Sequence, residues 1–188
     1  LNRKALLDMI HQGAGTATAT IVPSHATSLT PEEARQQVEV AQSELNSALR
    51  QLKVSPDALP HLELLVSDVS GQKAMAQAIQ QQWADTLGIT VHLRECDWNT
   101  FIGSLIGGNF QLGGCVIDAT YDDPLCHLDR IQNMQPKGAH WEDQRYRACL
   151  ERAQKASSPP SRTKALGQAE AILQQDAPII PIHYDEYK

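Results

Sequence analysis

A chain of 188 residues is long enough to bury a real core, as one ordinary domain or two small ones. Its net charge of −6 argues against a nucleic-acid partner, which calls for a basic face. No apolar run approaches the roughly 20 residues of a membrane-spanning helix, and a hydrophobic content of 41% with 20% charged residues suits a globular chain. The chain begins at Leu1 rather than Met, so the expectation is a piece of a longer protein, and a missing leader says nothing of the compartment. Cys96, Cys115, Cys126 and Cys149 match no CxxC pattern, and an even count is compatible with disulfides or free thiols alike.

In chain order, residues 2–12 read as a helix with Asn2 as cap and Gly13 as stop. Residues 14–29 are small and Thr-rich, which predicts an ordered loop. Thr30-Pro31-Glu32-Glu33 sets a cap, a proline in the first turn and a glutamate placed for a capping box. The helix it opens runs to about Lys53, with Ala34, Val38, Ala41, Leu45, Ala48 and Leu52 as its expected buried stripe. Residues 62–69 read as a strand, and Ser70 is placed to cap a helix with Met75, Ile79, Trp83 and Leu87 on one face and Gly88 at its end. A second strand over 89–96 completes a βαβ unit.

Asp97 is placed to cap the next helix, whose Phe101, Ile102, Leu105 and Ile106 recur at helical spacing before Gly107-Gly108. Residues 110–117 are mostly apolar and predict a buried strand. Beyond it, Asp118, Thr120, Tyr121, Asp122 and Asp123 fall where ligands gather in open α/β sheets, past the carboxyl end of a strand. The stretch reads equally as a binding loop on a rigid scaffold or as a solvated turn. Residues 125–131 suit a short helix, 142–156 a charged one and 162–175 a last one, with Ser157 to Ser161 as separator. Residues 178–184 read as an apolar strand whose prolines fit an edge.

Signals for chemistry are weak. His92 and Cys96 share one strand face, but no third zinc ligand follows at a recognisable interval, so no metal site is expected. Adjacent Asp122 and Asp123 serve a turn better than a general acid/base pair. Cys115 with His140, or Cys126 with His127, are the pairs a thiol hydrolase would use, though nothing in the sequence activates either sulfur. Gly107-Gly108 and Gly113-Gly114 form neither GxGxxG nor a P-loop, so no nucleotide cofactor is expected. Trp98 suits a core position or the aromatic wall of a pocket.

Five segments in order carry a resemblance: LNRKALLDMIHQGAGTATATIVP, LTPEEARQQVEVAQSELNSAL, AQAIQQQWADTLGITVHLRECDWNTF, ATYDDP and AEAILQQDAPIIPIHY. Together they make the chain resemble the second lobe of a family 5 extracellular solute-binding protein, the oligopeptide- and dipeptide-binding component of ABC importers. The resemblance implies an α/β fold, a single lobe of the type II periplasmic-binding-protein kind with a mixed sheet flanked by helices. Residues 1–188 are then one ligand-binding lobe of a longer two-lobed receptor, periplasmic or at the cell surface and possible as a lipoprotein in the parent. Its implied partners are a peptide ligand, the missing first lobe and a membrane ABC permease, with no nucleic acid, no cofactor and no catalysis.

The same resemblance points to Trp98, Gly114, Cys115, Val116, Ile117, Asp118, Thr120, Tyr121, His140 and Trp141 as ligand-binding residues, and turns His183 and Tyr184 towards the cleft. Peptide backbone would pair with the loop as in strand addition. Three positions depart from the family pattern. Thr120 stands where an aspartate usually holds the ligand's α-amino group, Ile117 replaces a frequent Trp, and Gly114 an occasional Arg. Asp118 is the candidate substitute for the amine partner. Competing readings are the thiol- or metal-dependent hydrolase and a protein-interaction module docking through 31–53 or 72–87.

Overall fold

The computed structural model describes residues 1–11, 15–22, 30–55, 58–59, 61–69, 71–121, 123–133 and 141–184. In chain order the elements are α1 (Arg3–His11), β1 (Thr16–Ala17), α2 (Pro31–Leu52), β2 (Leu62–Ser67), α3 (Gln72–Leu87), β3 (Val91–Cys96), α4 (Trp98–Gly107), β4 (Leu112–Gly113), α5 (Pro124–Asn133), α6 (Gln144–Lys155), α7 (Pro159–Asp176) and β5 (His183–Tyr184). They divide into two compact units. Unit 1 is Leu1–Gly15, Ser28–Leu105 and Asn109–Gly114; unit 2 is Thr16–Thr27, Ile106–Gly108 and Cys115–Lys188.

Unit 1 is built on the predicted βαβ pattern. β2 lies between β3 and β4 and pairs with both in parallel, with Leu64 opposite Leu93 and also opposite Leu112. Apolar residues of β2 and β3 meet α3 in a cluster of Leu64, Val66, Ala76 and Val91, extended by Trp83 and Leu93. Gly88 ends α3 in the left-handed region at φ 67°, a conformation glycine adopts without steric cost. Ser70 lies outside the described residues, and the residue ahead of α3 is Gly71, which has no side chain to cap with. α1 is capped as predicted, Ala5 donating to Asn2 Oδ1 at 3.1 Å. Asn2 also joins the Gln82 side-chain amide on α3 through both backbone groups.

Two expectations in unit 1 need correction. The Thr30 capping box forms in full, with Thr30 accepting from Glu33 N–H and Glu33 accepting from Thr30 N–H. The stripe it was to bury does not follow. Ala34, Ala41, Ala48 and Leu52 are exposed, Val38 and Leu45 half-buried, and the buried residue is Leu49. Three of the six stripe residues are alanines on a Gln- and Glu-rich helix and supply little apolar area, so α2 is held near its carboxyl end and by Gln42 donating to Thr86 O at 2.7 Å. Second, the apolar run 110–117 yields only the two-residue β4. A Cβ on Gly113 would come within 2.7 Å of the Leu105 side-chain tip and 3.2 Å of the Phe110 ring, so a larger residue there requires those side chains to shift. After Gly114 the chain passes into unit 2 and leaves the ladder.

Unit 2 packs α5, α6 and α7 around Leu128, Ile131, Tyr146, Leu150, Leu166 and Leu173. The buried Tyr146 hydroxyl donates to Leu128 O at 2.7 Å, and burial raises its pKa. α7 starts at Pro159, earlier than predicted, because the prolines of the supposed separator occupy its first turn, where their missing N–H is no loss. The Thr-rich segment taken as loop contains β1, which pairs antiparallel with β5. Parallel and antiparallel pairing thus both occur, in separate sheets. Of the apolar run 178–184 only His183–Tyr184 is strand; Pro178 and Pro181 lack the N–H a longer ladder needs. Ile21 and Val22 are fixed by a side chain: both donate to the buried Glu170 carboxylate, at 2.9 and 3.1 Å.

Candidate functional site

In unit 1 the carboxyl edge of the parallel sheet brings together Ser67, Cys96 and Gly113, the last residues of its three strands. The edge is tied across by Asp68 N–H donating to Cys96 O at 3.0 Å. Asp97 follows β3 and caps α4, accepting from the N–H groups of Asn99 and Thr100 at 3.0 and 3.1 Å. The Thr100 hydroxyl, which donates to the other carboxylate oxygen, holds the Asp97 pKa below the ordinary value. This cap sets the direction of Trp98, the first residue of the helix. Trp98 is 47% exposed, stacked on the buried Phe101 with ring centroids 5.7 Å apart. It is an anchored aromatic surface, not a core residue. Gly114 follows β4 and is exposed, with open space where a Cβ would project.

In unit 2 the run 115–121 has no regular secondary structure. Ile117 packs against the unit's core, while Cys115, Val116, Asp118, Thr120 and Tyr121 are exposed. The Asp118 carboxylate has no hydrogen bond or ion pair among the described residues. The far end of the run is held firmly. Thr120 N–H points at Cys126 Sγ at 3.3 Å, and Arg130 Nη1 reaches Thr120 Oγ1 at 3.5 Å. Asp123 N–H closes a tight turn on Tyr121 O at 2.9 Å. The Asp123 side chain caps α5 through Leu125 N–H at 2.7 Å and is gripped by Arg162 of α7. That pairing draws the Asp123 pKa down against the opposing effect of burial.

Among the described residues, neither Cys115 nor Cys126 combines an exposed sulfur with a lowered pKa. All four cysteines are free. Desolvation of its sulfur raises the Cys115 pKa although the residue is exposed, the opposite of activation. For Cys126, burial pushes the pKa up, but the Thr120 and Tyr121 amides outweigh it and the net shift is downward. That sulfur is spent as a hydrogen-bond acceptor inside the turn and is 5% exposed. Its neighbour His127 acts on Asp123, helping to lower that carboxylate's pKa. His140 and Asp122 lie outside the described residues. Trp141 is half-buried against the core of unit 2, tethered by its indole N–H to Asp176 at 3.1 Å and edge-on to Tyr146. Among the described residues, no three His, Cys, Asp or Glu side chains gather to hold a metal.

The sequence reading missed the supports of the turn, Arg162, Arg130 and Cys126. Their contacts span up to 39 residues, and only Asp123, placed ahead of a proline and an apolar run, carried a local capping signal.

Comparison with known proteins adds an independent line. Residues 1–138 match the family model for bacterial extracellular solute-binding proteins, family 5, middle region. Among characterised proteins, the chain is 32% identical over 123 residues to a probable deoxycholate-binding periplasmic protein, YgiS, of Escherichia coli, covering 65% of this chain and 23% of that protein. It is 27% identical over 150 residues to the oligopeptide-binding protein OppA of Bacillus subtilis, covering 78% of this chain and 28% of that one. Among solved structures, Haemophilus influenzae OppA in complex with the peptide RPPGFSPFR superposes with a TM-score of 0.82 at 22% identity, over 97% of this chain and 37% of that one. The chain therefore spans about a quarter of the length of these characterised relatives, and its fold is that of the matching part of a periplasmic binding protein.

Proposed function

This chain belongs to the bacterial extracellular solute-binding proteins, family 5, and from that premise we propose that it is a substrate-binding lobe of a peptide receptor serving an ABC importer. It binds its ligand without catalysis and without a cofactor, outside the cytoplasm. The other lobe belongs to the rest of a longer receptor, lipid-anchored or free in the periplasm, which hands the ligand to a membrane permease.

The observation that carries this reading is the exposed run 115–121, fixed at Ile117 by the core and at Asp123 by Arg162. A pre-set irregular backbone with exposed side chains suits a peptide main chain, which adds to it as a strand while its side chains enter roomy pockets. Cys115, Val116, Asp118, Thr120 and Tyr121 are the contacts proposed there, and Ile117 sets their position. Trp98 and Gly114 in unit 1, and His140 with Trp141 in unit 2, are proposed as further ligand contacts.

Thr120 refines the ligand class. A hydroxyl that accepts from Arg130 offers no negative charge to an ammonium group. The ligand we favour therefore lacks a free α-amino group, as in a modified or cell-wall-derived peptide. The deoxycholate-binding relative, whose ligand is no peptide, is in keeping with such a site.

The test is a backbone NMR titration of the chain with a pool of tri- to pentapeptides, free and N-acetylated, followed by mass spectrometry of the pool. Saturable shifts at Trp98 and residues 115–121, stronger for the acetylated pool, support the proposal. Stronger binding of the free pool would make Asp118 the amine partner and overturn the refinement. Cleaved peptides would replace the receptor with a hydrolase. If both pools leave these residues unmoved, here and in the full-length receptor, the peptide reading fails.

A further inference from the structure

The parallel sheet of unit 1 has a second open end, unrelated to the ligand proposal. At its amino edge lies an open groove of roughly 700 Å³ whose lining includes His61, Glu63, His92, Arg94, Asn109 and Gln111. Register explains the gathering. Glu63 of β2 stands opposite His92 of β3, and side chains two apart on a strand share a face. His61, just ahead of β2, therefore falls in with Glu63, His92 and Arg94.

The charged members pair with one another, although Arg94 Nε makes no well-aligned hydrogen bond. Arg94 Nε lies 2.6 Å from Glu63 Oε1, and its guanidinium also donates to Asn109 O. Gln111 accepts from Glu63 N–H. The two imidazoles are left facing each other, both exposed, with His61 Nδ1 and His92 Nε2 3.2 Å apart and the rings edge-on.

We propose that His61 and His92 form a two-imidazole site for a divalent transition-metal ion of the zinc, nickel or copper(II) class. Neutral imidazole nitrogen is the commonest ligand for these ions. Two metal–nitrogen bonds of about 2.0–2.1 Å, at angles between square and tetrahedral, set the nitrogens roughly 2.8–3.4 Å apart. The observed separation of 3.2 Å falls in that window. The hydrogen-bonded pair shares one N–H. Coordination by both nitrogens needs that proton moved to the outer nitrogen of the same ring, His61 Nε2 or His92 Nδ1, so binding requires no net proton release. Small rotations of two exposed rings then turn both lone pairs onto one ion. No third His, Cys, Asp or Glu joins the pair among the described residues, so water completes the sphere. The affinity is accordingly moderate. The bound ion clips the residue ahead of β2 onto β3 and braces the βαβ unit by mass action.

The experiment is a titration of the full chain with Ni²⁺, read by paramagnetic broadening of backbone amides and by the shift in Tm. Nickel is chosen because it does not oxidise the free thiols. Broadening centred on residues 61–63 and 91–94, with half-saturation on the order of 100 µM or tighter, is expected. His61→Gln and His92→Gln should each weaken binding about tenfold, and each should abolish the Ni²⁺-induced rise in Tm. Both positions are exposed and glutamine keeps a hydrogen-bonding group, so the metal-free Tm should stay at the wild-type value and show both variants folded. Glu63→Gln should leave nickel affinity within about threefold. Broadening centred on another histidine or a cysteine would overturn the site, as would indifference to both histidine substitutions. A loss in Glu63→Gln equal to that of the histidine variants would overturn the two-ligand description.

Discussion

Arg162 grips both carboxylate oxygens of Asp123 with one Nη2, at 2.8 and 2.9 Å, joining α7 to the turn that leads into α5. The same carboxylate accepts Leu125 N–H at 2.7 Å, so Asp123 is at once an ion-pair partner and a helix cap. The two roles separate by mutation. The ion-pairing side chains are 33% and 27% exposed, and water screens the pair, so Arg162→Ala should cost about 0.5–1 kcal/mol. Asp123→Ala loses the cap as well and should cost about 1–2 kcal/mol. Urea denaturation followed through Trp141 and Tyr146 in unit 2 checks the order. Equal costs would mean that the cap contributes nothing.

The exposure of α2 gives a second test. Leu49 is 6% exposed and Leu52, one turn on, 66%. Leu49→Ala should destabilise by about 2–4 kcal/mol as a core truncation, whereas Leu52→Ala should stay within about 0.5 kcal/mol. Thr30→Ala, which breaks the capping box, should fall between, at about 1 kcal/mol. A large loss at Leu52 in the isolated chain would restore the stripe that helical periodicity suggests.

The difference between what sequence pattern found and what it missed follows from range. Caps and stops are local, and Asn2, Thr30, Asp97 and Gly88 act where spacing placed them. The βαβ unit was legible because alternation in 91–96 and the face of Met75, Ile79 and Trp83 fall within one element each. The stripe of α2 failed because periodicity says which residues share a face, not whether a neighbour covers it. The strand 110–117 failed because apolar content does not reveal where a chain leaves one unit for another. Of the proposed site, Asp118, Thr120 and Tyr121 were visible as a composition change after the expected strand 110–117, whereas Cys115, Val116 and Ile117 were pointed to only by the family resemblance. Their anchors were not, since Arg162 in a polar helix start looks like any solvated arginine until the fold sets it beside Asp123.

Acid should act on unit 2 through Asp143. It caps α6 by accepting from Arg145 N–H and Tyr146 N–H, and the Arg145 guanidinium reaches it at 2.9 Å. The Arg145 side-chain hydrogen bonds above all, against the opposing effect of desolvation, lower its pKa to about 2. An unfolded chain has this carboxyl near 3.9. A depressed folded-state pKa stabilises above the unfolded value, and that contribution is lost as pH falls through the folded one. The wild-type urea midpoint should therefore fall between about pH 4 and pH 2, the interval between those two values. Asparagine keeps the capping oxygen but cannot titrate, so Asp143→Asn should flatten that limb and run parallel to the wild type above about pH 5. A variant that keeps the full acid limb would assign it elsewhere, to carboxylates such as Asp123, Asp97 or Glu33, whose pKa values are also lowered.

Glu170 provides the sharpest stability test, because a charged residue on α7 serves the backbone of a distant segment. It is 5% exposed, and its Oε1 accepts both Ile21 N–H and Val22 N–H from about 150 residues away in sequence. Ile21 and Val22 are buried in the same core as α7, so water cannot readily replace the carboxylate. Glu170→Ala leaves two buried donors unpaired, at about 1–3 kcal/mol each, and should cost roughly 3 kcal/mol in all. Glu170→Gln keeps an acceptor oxygen and a similar volume but loses the charge, so about 1–2 kcal/mol is expected. Amide exchange separates this from a general loss of packing. The Ile21 and Val22 amides should lose protection first in both variants, while those of α6 follow only the global change. If these two amides keep wild-type protection relative to α6 in Glu170→Ala, the carboxylate is not what holds the segment.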